Sequence, residues 1–267
     1  MRLRSILRIS AGGPLEEALA SPADAIALTL ADARHPVEQL REAAAAAIAR
    51  IVESGKRALV TVNHPRTQLL RADLEAVVRP GLGGVLLPHT VEPQDVRDLA
   101  VLLREFEYDR AIEPGEVIAI PVIDTARGVL RAAEIVHAAP RVAGLLLDAE
   151  AYAWDVGARA EEKGPRLAYP RGAVVAAARA FEKLPLVTSS GLELQFLAQH
   201  GFAGAVMVDA RHVANANQLF APGEFRVGRA KAEAAAYDAA KAAGAWVARE
   251  GETVIDAHSA RKARALE

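Results

Sequence analysis

Short apolar runs alternate along the chain with longer, alanine-rich stretches whose apolar positions recur at helical spacing. Arg4–Ser10 (RSILRIS), Ala25–Leu30 (AIALTL), Ala58–Asn63 (ALVTVN) and Gly84–Pro88 (GVLLP) are the first four runs with strand character. Val117–Asp124 (VIAIPVID), Val142–Asp148 (VAGLLLD), Leu184–Ser189 (LPLVTS) and Gly204–Asp209 (GAVMVD) are the other four. Most are too uniformly apolar to have one wet face, as strands buried on both sides would be. Between them, helices are predicted over 36–55, 73–79, 93–106, 128–139 and 172–183, the first ending on Gly55. Eight strand–helix alternations predict an α/β fold, a TIM (β/α)8 barrel. A doubly wound sheet is the rival, but no G-x-G-x-x-G follows the first run, and Ala11–Gly13 (AGG) is too short for a phosphate loop.

Beyond about Pro222 the pattern changes. Ala230–Gly251 reads as one long helix followed by a polar tail, so the chain is expected to divide into a barrel at 1–222 and a C-terminal helical extension at 223–267. The extension could pack on its own barrel or on another copy, and a homo-oligomer is expected. The basic N-terminus has its apolar run broken by Arg8, with Glu16 and Glu17 close behind, a poor fit to a signal peptide. No segment approaches a membrane span, so the expected location is cytoplasmic.

Composition narrows the partners. The 267 residues are 52% hydrophobic, enough for a large core. A formal net charge of −2 gives no field to draw in nucleic acid or an anionic membrane. A small molecule or a protein is the better default. With no cysteine, thiolate metal sites and cysteine nucleophiles are excluded. The seven histidines form no ligand-type spacing, and His137 and His200 fall in helical stretches where a structural role is expected. Ser189 and Ser190 lack a G-x-S-x-G setting, so capping is the expected job for one of them.

In a barrel, chemistry belongs at the C-terminal strand ends. Ser10, Asp32, Asn63, His89, Asp124 with Thr125, Asp148 with Glu150, Ser189 and Asp209 sit there. Acids after the fifth and sixth runs offer the hard oxygen ligands that Mg2+ takes, with water and substrate completing its shell. The alternative role for each is helix capping.

Several stretches carry a resemblance. Ile123–Ile135 (IDTARGVLRAAEI) is similar to the I-E-T-A-R-G-x-x-x-A-x-E-I segment of the HpcH/HpaI aldolase and citrate lyase β-subunit family. Asp148–Arg159 (DAEAYAWDVGAR) is similar to its G-A-E-D-x-x-x-D-L-G segment, and Leu167–Ala180 (LAYPRGAVVAAARA) to its L-x-Y-x-R-x-x-V-x-x-A-R stretch. Arg4 and Ser5, Ala23–Ala33, Val60–Asn63, Gly84–Val96, Ala214–Pro222 and the tail (TVIDAHSARKARAL) follow in the family's order. The resemblance covers nearly the whole chain and implies a TIM barrel. It also implies carbon–carbon cleavage or formation in a hydroxy or keto acid or its CoA thioester, with Mg2+ held by a Glu and an Asp and a substrate carboxylate held by an Arg.

The sequence departs from that pattern at the mouth. The metal Glu position is Asp124, and the metal Asp position is Ala151. The arginine of R-V-N is Thr61, the lysine of L-P-K is His89, and D-L-E-D reads TLAD, with Thr29 and Ala31 replacing two acids. I-H-P-x-Q has become Val208–His212 (VDARH). Loss of a carboxylate-gripping arginine is not conservative. Two explanations fit. In one the site is rebuilt: Asp124 and Asp148 hold the metal, with Glu150 as the alternative second ligand or a catalytic group beside Arg127. Asn63, Arg66, His89 and Thr125 would then contact the substrate, Arg66 or Arg127 taking its anion, and the reaction would be retro-aldol or retro-Claisen lysis through an enolate. In the other the chain is a non-catalytic relative that binds a metabolite or serves in an assembly.

Overall fold

The computed structural model describes residues 2–32, 34–158, 167–221, 224–251 and 253–264. The expected boundary at 222/223, Arg159 of the Asp148–Arg159 motif, Ala33 and the end of the tail lie outside them. The described chain falls into two compact units, Met1–Phe220 and Ala221–Glu267.

In the first unit, β1 (Ser5–Ser10), β2 (Ala25–Thr29), β3 (Arg57–Thr61), β4 (Leu82–Leu87), β5 (Ile118–Ile123), β6 (Gly144–Leu147), β7 (Leu184–Thr188) and β8 (Gly204–Met207) form a closed barrel in sequence order. Neighbours are parallel throughout, and β1 closes on β8 with Ser5, Ile6 and Leu7 opposite Ala205, Val206 and Met207. The (β/α)8 expectation is met. Alternation along each strand divides the apolar residues into two cores. Ile6, Ala27, Leu59, Leu86, Val122, Leu146, Leu186 and Val206 fill the interior, while Leu7, Ile26, Leu28, Val60, Val85 and Leu87 face the helices. Each fully buried Leu or Ile contributes roughly 1.5–3 kcal/mol, and having both faces buried is what makes the strand runs so uniformly apolar.

The helices follow their sequence signals. Helix α1 (Leu15–Ala20) is short. In α2 (Val37–Glu53), Leu40, Ala44, Ala47, Ile48 and Ile51 make the buried stripe, and the helix stops at Ser54 and Gly55, the latter at φ 80°. Helix α3 (Leu70–Val77) precedes β4. Helix α4 (Pro93–Asp109) starts on a capping box between Glu92 and Asp95. The single helix expected at 128–139 is instead two, α5 (Ala126–Leu130) and α6 (Ala132–Val136), separated at Arg131, whose φ of −108° and ψ of 12° are not helical. Helix α7 (Ala149–Asp155) follows β6, α8 (Ala168–Ala180) precedes β7, and α9 (Leu194–Gln199) and α10 (Val213–Leu219) follow β7 and β8.

The second unit corrects the sequence reading. Its helix, α11, spans Glu224–Ala242 rather than running on to Gly251. Gly244, at φ 80°, turns the chain into an antiparallel hairpin of β9 (Ala248–Glu250) and β10 (Thr253–Ile255), and α12 (Ala257–Arg264) follows. Tyr237, Ala248, Ile255 and Ala260 form its core. Alanine has high helix propensity but gives no stop signal, so the end falls to the glycine. Among the described residues no helix is long and apolar enough to cross a membrane.

Candidate functional site

At the floor of the barrel, Arg4 grips Asp24 with Nη2 at 2.6 Å from Oδ1, and the Ser5 hydroxyl donates to Asn217 Oδ1 at 2.7 Å. Asn217 in turn donates to the Pro22 carbonyl at 2.7 Å. These bonds tie the first strand to the last barrel helix. Arg4, Ser5 and Asn217 belong to the motifs that carry the resemblance, and their work is closure of the fold.

The mouth holds the candidate chemistry. Asp124, one residue beyond β5 and on its inward phase, is only 4% exposed. Its Oδ2 accepts the His89 backbone N–H at 2.9 Å and faces His89 Nδ1 at 2.8 Å. His89 sits at φ 54°, a left-handed conformation in which backbone and ring both meet that one oxygen. Asp124 Oδ1 is buried and accepts no hydrogen bond. Burial pushes the Asp124 carboxyl above its ordinary range; the His89 charge and N–H pull the other way without cancelling it, and the nearby Asp148 charge pushes it further up.

Asp148 occupies the equivalent place after β6. It is the N-cap of α7: Oδ1 accepts the Ala151 N–H at 3.2 Å and the Thr188 hydroxyl at 3.3 Å. Ala151 thus contributes a backbone donor where the resemblance calls for a ligand, and it has no side-chain atom to offer. Asp124 and Asp148 therefore form a pair of carboxylates on adjacent strands, one with an orphaned oxygen. That is a hard-oxygen donor set suited to Mg2+, which commonly takes one or two protein carboxylates and leaves its remaining positions to water and ligand. Among the described residues no third His, Asp or Glu joins them as a metal cluster.

Asp148 also lines a cavity of about 350 Å3 over β6, β7, β8 and β1, with Glu150, Thr188, Ser189, Ser190 and Arg8 around it. Glu150 is exposed there, on the first turn of α7. The Ser189 hydroxyl accepts the Gly191 N–H at 3.0 Å, a local turn contact rather than a helix cap.

The remaining candidates lie on the other side of the mouth and are more committed. Asn63 donates both its backbone N–H and its side-chain amide to buried Asp73 Oδ2, at 2.7 and 2.8 Å, while Arg41 Nε holds Oδ1 at 2.8 Å. The Asn63 side-chain carbonyl and its second amide N–H are left for a ligand. The Thr125 hydroxyl caps α5 by accepting the Gly128 N–H at 3.1 Å. Arg127 reaches Glu92 at 3.2 Å, Arg131 reaches the same carboxylate at 3.4 Å, and Arg66 pairs with Glu92 and, at 3.2 Å, with Asp95. Arg66 and Arg127 are thus brought together, but around an acid that the sequence pattern did not flag. His137 stacks on Phe181 and His200 Nδ1 lies 3.1 Å from the Phe196 carbonyl, both structural positions.

Arg8 is the residue the sequence reading missed as chemistry. It lies two positions after inward-facing Ile6 on β1, so it projects into the barrel mouth. A cation on the inner face of a strand buried on both sides was the available signal.

The family model for HpcH/HpaI aldolase/citrate lyase matches residues 14–216. The citrate lyase subunit beta of Escherichia coli K12 is 30% identical over 215 residues, 77% of this chain and 71% of the relative. A (3S)-malyl-CoA thioesterase of Cereibacter sphaeroides is 29% identical across 96% of this chain and 90% of its own. Among solved structures, the citrate lyase beta subunit of M. tuberculosis, complexed with oxaloacetate and magnesium, superposes with a TM-score of 0.67 at 25% identity, covering 83% of this chain and 100% of that one. The barrel, the acids at its mouth and these matches agree: the chain belongs to the HpcH/HpaI aldolase/citrate lyase family.

Proposed function

We propose that the barrel mouth binds a small keto or hydroxy acid, free or as its CoA thioester, and makes or breaks a carbon–carbon bond with the help of Mg2+. The observation that carries this reading is the buried, unpartnered Oδ1 of Asp124 beside Asp148. Asp124 and Asp148 would hold the ion. When bound, it supplies Lewis-acid stabilisation of negative charge developing on a ligand carbonyl oxygen. Glu150, open to the cavity, takes or returns the proton at the reacting carbon. Asn63 offers its side-chain carbonyl, Thr125 and His89 line the approach, and Arg66 and Arg127 hold anionic groups at the rim once released from Glu92. Both guanidiniums are exposed, and Arg131 stays on Glu92 when they leave it. The complex of the M. tuberculosis relative with oxaloacetate and magnesium, and the malyl-CoA thioesterase of C. sphaeroides, support the ligand class.

The test is a titration of metal-free protein with Mg2+ or Mn2+, repeated with Asp124→Ala. Binding by the parent that is lost in the variant is the expected result; no binding, or binding indifferent to Asp124, overturns it. A second reading, a metabolite-binding relative without turnover, is favoured by one feature: His89 already occupies Asp124 Oδ2 while Ala151 offers no ligand. It predicts ligand-induced thermal stabilisation with no lyase activity on oxaloacetate or acyl-CoA thioesters. Self-association belongs to the same proposal, supported by exposed Trp246, Val247 and Val254 in the second unit. A monomer in sedimentation at micromolar concentration would remove it.

A further inference from the structure

We propose that Arg8 is the specificity-determining residue of the cavity over β6, β7, β8 and β1, gripping a carboxylate of the bound acid so that the ligand's oxygen-bearing end lies toward Asp148. The inference rests on the mouth being a ligand site, as proposed above, and names the group the ligand must carry. Arg8 is partly buried on the inward face of β1, and among the described residues no carboxylate or carbonyl pairs with it. Arginine is almost never fully buried unless paired, and a half-buried guanidinium with no partner, on the inner face of a strand and lining a concave site, points to an anion supplied from outside.

The cavity's other charges fix the orientation. Glu193 is already held by buried Arg171, at 2.8 Å. Asp148 and Glu150 remain, both on the β6 side and neither in an ion pair with Arg8. The site is therefore polarised, with a cation on β1 and acids after β6. A ligand that suits it has a carboxylate at one end and, at the other, oxygens that meet the acids through a divalent cation. A neutral ligand would leave Arg8 unpaired, and a second cation would be repelled by it. At about 350 Å3 the cavity is near the lower end of ligand-site volumes, which suits a small dicarboxylate or keto acid. The planar guanidinium matches a carboxylate in a two-bond fork that a lysine ammonium cannot reproduce.

The test is calorimetric titration with oxaloacetate and with its uncharged diethyl ester, in the presence of Mg2+, for the parent protein, Arg8→Met and Arg8→Lys. The parent should prefer the acid by roughly 10- to 100-fold, the span expected of hydrogen bonds to a charged group. Arg8→Met should cut that preference by roughly 10-fold or more, what remains coming from the carboxylate at the metal end, and Arg8→Lys should restore part of the loss. Mg2+ binding, which involves Asp124 and Asp148, should persist in both variants and doubles as the check that they fold. Equal preference in the parent and Arg8→Met overturns the role of Arg8 and leaves the metal site standing. A parent that takes Mg2+ but shows no preference for the acid likewise overturns Arg8 alone, whereas a parent that binds neither overturns both readings.

Discussion

Asp148 is given two jobs by its position, and a pair of substitutions separates them. As the N-cap of α7 it accepts the Ala151 N–H; as a carboxylate it sits close enough to raise the affinity of Asp124 for its proton. Asn caps a helix about as well as Asp, whereas Ala in place of either costs about 1 kcal/mol. Asp148→Asn should therefore melt close to the parent, and Asp148→Ala lower by about 2–4 °C, the shift that 1 kcal/mol produces in a domain of 150–250 residues. Metal binding should divide the variants differently. Both lose one of two carboxylates, and even an outer partner of a metal ligand typically counts for roughly 10- to 100-fold in affinity, so both should bind Mg2+ at least that much more weakly. The Asp124 carboxyl should also fall toward its ordinary range in both, remaining above it because burial is the larger cause. Paired thermal melts and Mn2+ titrations read the two effects. Undiminished metal affinity in Asp148→Asn would show that Asp148 is a cap and nothing more. An Asp148→Ala protein as stable as the parent would refute the capping argument instead.

Other outcomes follow from charge and close packing. Asp124 has a raised folded-state pKa, so it costs stability progressively as the pH rises from the ordinary carboxylate value of about 3.9 to the folded value, and the cost is constant above that; Asp124→Asn should stabilise metal-free protein near pH 7, with the advantage shrinking as pH falls, in melts from pH 4 to 8. Glu107 is the opposite case: burial opposes its ionisation, but Arg141 and the N–H groups of Gly115 and Val117 outweigh it and depress the pKa. Its contribution should be intact above about pH 4.3 and decline as pH falls through the lower folded value. Removing one partner, as in Arg141→Met, should cost about 3–5 kcal/mol in denaturant unfolding, and a loss below about 1 kcal/mol would mean the pair behaves as a surface one. Gly204→Ala would set a Cβ into the Leu3 carbonyl at the seam where β8 meets β1. Loss of soluble folded protein is expected, and normal expression with a normal melt would count against the close approach.

The barrel was legible because its strands need apolar residues on both faces, and eight such runs separated by helical stretches leave few other architectures. The break at Arg131 was not legible, since Gly128–Ala139 keeps helical periodicity across a residue whose backbone is not helical. The hairpin after Gly244 was hidden by alanine, which marks helix without marking its end. At the mouth, residue type showed which groups could do chemistry but not how many of their atoms were already committed. Asn63 to Asp73 and Arg127 to Glu92 are long-range bonds that no spacing rule reports, whereas the Thr125 bond to Gly128 is the cap that the sequence allowed as its alternative role.

Arg8 and Ala151 together carry the last step. Floor residues that share the family's motifs are bonded around the seam, Arg4 to Asp24, Ser5 to Asn217 and Asn217 to the Pro22 carbonyl, and leave the chemistry free to change. The positions that depart from the motifs, Thr61 at the end of β3, His89 after β4 and Ala151 in α7, all give up charge or a ligand, and Thr61 is left with a buried hydroxyl that bonds to nothing among the described residues. Charge is present instead on Arg8 of β1 and Asp148 after β6, which share one cavity. If Arg8 holds the ligand's carboxylate, the ligand lies across β6, β7, β8 and β1 rather than toward β3. Ligand preferences should then follow the shape of that half of the mouth rather than of the half where the family pattern implies an arginine at the position of Thr61.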